Sequence, residues 1–298
     1  MQIPDPDLIR TWLFGPGMAG TAQTALGISG SDAVIIDLED STPSHLRAQA
    51  REGLNALFTP WRQAGIITAV RINALETDGP EDLSAAMCAG AQVIVYPMAE
   101  TISQMQALDA AIAAWEAKLG ITAGSTPILP VCETALGVAD VRAIASASPR
   151  IRSALLGTED LAADLCAERS AEGTELDYAR RRFVLECRAA RIEPIDAPYT
   201  YGDTEGAVRE ARYARHLGYR SKSLVQPEHA QSINAVLTPS DSDVARARTI
   251  INLFETARER GEDRALFEGL WVEVPTYRSA RRLLDRADKL AGLNKNST

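Results

Sequence analysis

Short apolar runs rich in Val and Ile recur along the chain. They are RTWLF at 10–14, AVIID at 33–37, ITAVRI at 67–72, VIVYP at 93–97, PILPV at 127–131, ALLG at 154–157, RIEPI at 191–195 and KSLV at 222–225. Gly, Pro, Asp or Asn bounds each, as at strand ends. Several lack an apolar–polar alternation, which suits parallel strands buried on both faces. Helical patterns lie between them. SHLRAQAREGLNALFTPW at 44–61 sets apolar side chains at 46, 50, 54, 57 and 58 behind Ser44 as N-cap. The segment 101–120 ends at Gly120, and 204–219 opens at a capping Thr204 and stops at Gly218. Eight strand–helix alternations within about 230 residues are the length of a (β/α)8 TIM barrel. A doubly wound sheet is the alternative, but no G-x-G-x-x-G follows a strand.

The expected organisation is a barrel over 1–237 and a C-terminal helical extension or lid over 238–298. Two helices, 241–261 and 276–292, flank EDRALFEGLWVEVP at 262–275, which reads as a short hairpin or lid. The last six residues, LNKNST, are expected to fray.

Composition narrows the function classes. The 298 residues are 46% hydrophobic and 24% charged, an ordinary globular balance. A net charge of −9 without a basic run argues against nucleic acid. A local Arg or a metal ion still allows small anionic substrates. No run reaches the roughly 18 apolar residues of a membrane span, and MQIPDPDLIR is not a signal peptide. Four cysteines without a C-x-x-C pair read as reduced thiols in the cytoplasm. The three histidines lack metal-ligand spacing.

Barrel active sites form at the C-terminal ends of the strands. There strand two reads Asp37-Leu38-Glu39-Asp40, strand three Arg71-Ile72-Asn73, strand five Cys132-Glu133-Thr134 and strand six Gly157-Thr158-Glu159-Asp160. Crowded carboxylates repel, and a hard divalent cation relieves that repulsion. Mg²⁺ takes one or two protein carboxylates and leaves room for substrate oxygens. Glu133 and Asp160, on consecutive strands, are the best pair; the alternative is that such acids only cap the helices they precede. Arg71 could grip a substrate carboxylate with two parallel hydrogen bonds, or form an internal ion pair with Asp37 or Glu39. GPGMAG at 15–20 offers backbone N–H groups to an anion. His45, His216 and His229 read as surface or capping residues, and Cys132 as a small buried filler. RRR at 180–182 and RSARR at 278–282 read as solvated helix faces; the second could also meet a CoA phosphate or another subunit.

Taken together, RTWLFGPG at 10–17, DAVIIDLEDS at 32–41, VRIN at 70–73, CETALG at 132–137, LGTEDLAADL at 156–165, RHLGYRSKSLVQP at 215–227 and QSINAVLTPS at 231–240 resemble the citrate lyase beta-subunit-like proteins of the hydroxyoxoheptanedioate aldolase/citrate lyase superfamily. The resemblance implies a Mg²⁺-dependent barrel that cleaves or forms a C–C bond in a 3-hydroxyacyl thioester of the malyl, citramalyl or citryl type, carried on CoA or an acyl carrier protein. It implies Glu133 and Asp160 as metal ligands and Arg71 as the binder of a substrate carboxylate or carbonyl. Glu39 and Asp40 would orient metal-bound waters, and Arg10 would lie near the thioester. It also implies a homo-oligomer, trimer or hexamer, in which an acid from the C-terminal segment covers a neighbouring subunit's site. Where that segment commonly reads Gly-x-Met-Ile-Asp-x-Pro, this chain reads GLWVEVP at 269–275, so the matching acid is Glu273. Two further departures are Tyr96-Pro97-Met98 in place of Leu-Pro-Lys and Val225-Gln226-Pro227 in place of Ile-His-Pro. The alternatives are a malyl-CoA-type thioesterase, a CoA-independent hydroxy-oxo-acid aldolase and a non-catalytic paralogue.

Overall fold

The computed structural model describes residues 5–17 and 21–295. Met18 to Gly20, half of the glycine-rich stretch at 15–20, lie outside the described residues. The chain divides into two compact units, Met1–Leu237 and Thr238–Thr298.

The first unit is a (β/α)8 barrel. Its parallel strands are β1 (Thr11–Pro16), β2 (Ala33–Asp37), β3 (Ile67–Arg71), β4 (Val93–Tyr96), β5 (Ile128–Cys132), β6 (Ser153–Leu156), β7 (Glu193–Asp196) and β8 (Ser221–Leu224). Each pairs with the next, and β8 closes on β1. All eight apolar runs of the sequence are strands. Around them lie α1 (Thr21–Ile28), α2 (Arg47–Gln63), α3 (Gly79–Ala89), α4 (Ile102–Leu119), α5 (Ala135–Ala139), α6 (Val141–Ser146), α7 (Thr158–Asp164), α8 (Asp177–Ala190), α9 (Thr204–Leu217) and α10 (Ala230–Leu237).

Side chains alternate along each strand, so every second residue faces the barrel axis. Trp12, Ala33, Ile35, Ile67, Ala69, Val93, Val95, Leu129, Val131, Leu155 and Ile195 form the inner cluster. The intervening residues, such as Val34, Ile36, Val70 and Ile94, join the helices in the outer core. Trp12 fills the barrel's N-terminal half, and its Nε1–H donates to Ser221 Oγ at 3.1 Å. Apolar side chains fill the interior along the strands, and in such barrels chemistry sits at the C-terminal end.

Two helix starts differ from the sequence reading. Ser44 opens a short 3-10 turn instead, and α2 begins at Arg47 without a side-chain cap. For α9 the cap is Asp203, one residue before Thr204, accepting from the Gly206 N–H at 2.5 Å. Gly120 and Gly218 do end their helices, at φ 68° and 108°, where a side chain is strained. Arg180 is also not solvated. It donates to both oxygens of buried Asp196, at 3.0 and 2.8 Å. Lys222, fully buried on the outer face of β8, reaches Asp196 at 2.7 Å and Glu210 at 2.6 Å. Residues 196 and 222 have outward parity, so these ions serve the strand–helix seam rather than the barrel interior.

The second unit consists of α11 (Asp241–Glu259), an antiparallel hairpin of β9 (Ala265–Phe267) and β10 (Leu270–Val272), and α12 (Val274–Lys295). Ser240 and Asp243 form a capping box at the start of α11. The hairpin turns on Glu268 and Gly269, with φ of 50° and 77°, the pair of positive angles that matches strand twist. Helix α12 runs on to Lys295, so residues 293–295 are helical rather than frayed. Among the described residues no helix is long and apolar enough to cross a membrane.

Lys222→Ala leaves Asp196 and Glu210 short of a cation in a buried setting. It is expected to lower the unfolding free energy by about 3 kcal/mol in urea titrations followed by circular dichroism. Arg209→Ala, from an exposed pair with Glu205, should barely move the midpoint.

Candidate functional site

The parity that fills the barrel with aliphatic side chains also brings its last inward positions together. On β2 the inward series 33, 35 ends at Asp37; on β3 the series 67, 69 ends at Arg71. Register places Asp37 directly beside Arg71. Beyond β5 and β6 the same series reach Glu133 and Gly157. A polar layer therefore caps an apolar column, at the C-terminal mouth.

Arg71 organises that layer. Its Nε and Nη2 donate to the two oxygens of Asp37, both at 2.7 Å. Nη2 also reaches Asp40 at 3.3 Å, and the guanidinium lies 5.2 Å over the Phe14 ring. The internal ion pair is thus the arrangement present, so the fork of Arg71 is not open to grip a substrate carboxylate with two bonds. Among the described residues Nη1 has no hydrogen bond of its own, only a 3.0 Å ionic contact with Glu39 Oε2. That Glu39 oxygen is buried without a hydrogen-bond partner. Burial works against the Arg71 charge, but Asp37, Glu39 and Glu133 outweigh it and raise its pKa. Burial likewise pushes Asp37 up, and the bonds from Arg71 and Ser41 reverse this and hold it below the carboxylate range.

The remaining acids share the same arginine, without the paired hydrogen bonds that Asp37 receives. Glu133 is only 3% exposed, and its Oε1 accepts the Met98 N–H at 2.8 Å. Its carboxyl is pushed up to about 7, mainly by burial and further by Asp160 and Asp40, against the pull of the Met98 N–H and Arg71. Glu39 is pushed to about 7 by burial and by Asp40, Glu133 and Asp37, with Arg71 opposing. Asp160 sits exposed in the first turn of α7, and Asp40 is exposed beyond β2. Asp37, Glu39, Asp40, Glu133 and Asp160 thus act electrostatically on one another around a single arginine.

The surplus negative charge and the unbonded Glu39 oxygen fit a divalent cation. Among the described residues no group of three or more His, Cys, Asp or Glu side chains forms a metal cage. A two-carboxylate site completed by water is compatible with Mg²⁺, which retains several waters. Glu133 and Asp160 are the residues that could hold it, and Glu39 and Asp40 act electrostatically on the same acids.

The motif residues around these acids have local tasks. Thr134 caps α5, accepting from the Gly137 N–H at 3.0 Å, and its hydroxyl donates to Glu100 at 2.8 Å. In the 37–42 stretch, the Asp37 carboxylate also accepts from the Ser41 N–H at 2.9 Å, shaping the loop that carries Glu39 and Asp40. The Gly17 N–H is used by Thr42 Oγ1 at 2.9 Å, so it is not free for an anion.

Arg10 requires a correction. It precedes β1 at the barrel's N-terminal end, opposite the acids. There it makes two side-chain bonds to Asp32, at 2.8 and 2.7 Å, which tie the starts of β1 and β2. A residue entering a strand belongs to the closed end of the barrel, so Arg10 is remote from the mouth. His229 is corrected as well. It is buried, with its ring 6.1 Å from that of Tyr199. His45 and His216 are exposed, and Cys132 is a buried filler on the outward face of β5. Glu273 lies in the second unit, exposed between β10 and α12, where its carbonyl accepts the Tyr277 N–H at 3.0 Å. Sequence reasoning missed Phe14 and the Met98 N–H, and left the Arg71–Asp37 pair as one of two alternatives. Strand parity was the signal for Asp37; a backbone donor leaves none.

Comparison with known proteins agrees with this architecture. The profile of the HpcH/HpaI aldolase/citrate lyase family matches residues 10–227, from the entry to β1 to the end of β8. The chain belongs to that family. Among family relatives, the citrate lyase subunit beta of Escherichia coli is 33% identical over 289 residues, covering 96% of this chain and 95% of its own. An L-malyl-CoA/beta-methylmalyl-CoA lyase of Cereibacter sphaeroides is 31% identical over 308 residues, covering 95% of each. The crystal structure of CitE from Mycobacterium tuberculosis, in complex with magnesium, acetoacetate and coenzyme A, superimposes with a TM-score of 0.74 at 26% identity. It covers 94% of this chain and 98% of its own.

The raised carboxyls have a measurable consequence. A carboxyl whose folded pKa lies above its unfolded value near 4.5 binds its proton more tightly when folded. The stability this contributes is full below about 4.5 and is lost as pH rises towards about 7. In EDTA the melting temperature is expected to fall across that window, and Glu133→Gln should flatten the slope in scanning fluorimetry over a pH series.

Proposed function

We propose that the protein is a Mg²⁺-dependent carbon–carbon lyase acting on a 3-hydroxyacyl thioester of the malyl, citramalyl or citryl type, by a retro-Claisen reaction. The observation that carries this reading is the buried Glu133 carboxylate, under the electrostatic influence of Asp160 and Arg71, at the C-terminal end of the barrel strands. The magnesium and coenzyme A of the Mycobacterium tuberculosis complex and the thioester substrates of the Cereibacter enzyme support it.

In that reaction the bond between the hydroxyl-bearing carbon and the thioester α-carbon breaks. Its electron pair passes to the thioester enolate, the hydroxyl proton to a base, and a carbonyl forms. A proton then returns to the α-carbon, giving the shorter acyl thioester. Glu133 and Asp160 would hold the cation, which when bound lowers the hydroxyl pKa and polarises the forming carbonyl. Glu39 and Asp40 would accept hydrogen bonds from its waters and fix their orientation. Arg71 would give a substrate oxygen the single donor edge at Nη1, displacing its contact with Glu39, while Asp37 keeps the guanidinium in place. Glu273 is the candidate acid/base; its carboxylate stands about one C–C bond further out than the aspartate of the usual motif, enough to alter positioning. A homo-oligomer, trimer or hexamer, belongs to this reading and is testable by light scattering.

The test is acetyl-CoA release from malyl-CoA and citramalyl-CoA, with Mg²⁺ and with EDTA. Metal-dependent acetyl-CoA is expected, and Glu133→Gln and Asp160→Asn should each lower kcat by about 10²-fold or more. Free CoA with intact malate would indicate a thioesterase instead. Turnover of pyruvate with an aldehyde, without CoA, would indicate an aldolase.

A further inference from the structure

We infer that Gly157 is a positioning residue: its missing side chain is what allows Glu133 to present one free oxygen to a divalent cation. This rests on the metal reading above. The two Glu133 oxygens are unlike. Oε1 accepts the Met98 N–H at 2.8 Å. Among the described residues Oε2 accepts no hydrogen bond, and it is not one of the buried unpartnered atoms, so the little exposure Glu133 has leaves this oxygen accessible. Oε2 lies against Gly157. A Cβ at that position would stand 2.7 Å from Oε2, 2.6 Å from Glu133 Cβ and 3.3 Å from Val131 Cγ1.

No backbone requirement explains the glycine. Gly157 has φ −95° and ψ 121°, open to any residue. It is the N-cap of α7, where Ser, Thr, Asp or Asn would stabilise the helix, and α7 has no side-chain cap. Its N–H is already given to the Cys132 carbonyl at 3.1 Å. What glycine supplies here is room. Glu133 Cβ is fixed to its strand, so rotating the carboxylate would not relieve a 2.6 Å contact. Either the end of β5 and the head of α7 move apart, or the Glu133 side chain swings away. In both cases Oε2 leaves its place beside the helix that carries Asp160. Holding one oxygen on a backbone N–H and leaving the other bare sets Glu133 to bind through a single atom, as the octahedral demand of Mg²⁺ favours.

The experiment is a Mn²⁺ titration of the full chain by electron paramagnetic resonance, with thermal melts in EDTA alongside. Gly157→Ala is expected to weaken Mn²⁺ binding by roughly 10–100-fold, the usual cost of losing a ligand's supporting contact. Gly206→Ala, where a new Cβ meets the Tyr199 hydroxyl at the head of α9, is the steric control and should keep the affinity while losing stability. A folded Gly157→Ala protein with wild-type Mn²⁺ affinity overturns the inference and leaves the proposed function standing. Wild-type protein that binds no Mn²⁺ overturns both. Should Gly157→Ala not fold alone, Glu133→Gly combined with Gly157→Ala removes the clashing Cβ. That double variant is expected to fold and to melt close to Glu133→Gly; a double variant that also fails to fold would overturn the contact itself.

Discussion

One guanidinium set among five acids governs the mouth of this barrel. Arg71 spends its Nε and one N–H of Nη2 on Asp37, and what is left of its charge is shared among Glu39, Asp40 and Glu133. An ion pair at the end of a buried strand satisfies itself first, because an unpaired guanidinium there costs more than any gain from waiting for a ligand. The consequence is that Asp37 stays ionised and inert. The burden of excess negative charge falls on Glu39 and Glu133, both pushed to about 7. The site is electrostatically unfinished without a cation, and that incompleteness is a property of the chain's own residues.

Much of this was legible in the sequence, because both the barrel and its mouth obey one period. The runs AVIID, ITAVRI and PILPV are aliphatic on both faces, which marks buried parallel strands. The first polar inward position after each run then falls at the C-terminal rim: Asp37, Arg71, Glu133. The same alternation that buries Ile35 and Ala69 in the barrel interior determines which acids can meet. Glu133 and Asp160 could be paired from strand order alone, since consecutive strands of a closed barrel are neighbours.

What the sequence hid were contacts whose partner carries no side-chain signature or lies far along the chain. Arg10 looked like part of a mouth motif because it opens RTWLFGPG, yet a residue that enters a strand sits at the opposite end from one that leaves it. Arg180 stood in a run of three arginines that reads as a solvated face. Its burial depends on Asp196 of the following strand, which sequence spacing alone does not pair with it. His229 follows a proline in a loop, and it is buried against Tyr199 and the Gly202 carbonyl of the β7–α9 connection, far along the chain. Each case is a tertiary partner overriding a local expectation.

The departure at Met98 shows how such a hidden contact separates two properties of the site. The family's usual residue at that position is a lysine, and its loss removes a positive charge from the rim. Met98 holds Glu133 through its main chain, in a left-handed conformation of φ 47° that L-residues adopt only under constraint. A backbone donor is indifferent to the side chain attached to it. The placement of Glu133 is therefore insulated from the substitution, while the half-exposed thioether puts an apolar group at the rim in place of a charge. A change at residue 98 that keeps the backbone in place leaves the acid beneath it in register, and under the proposed function its effect would fall on what the mouth accepts.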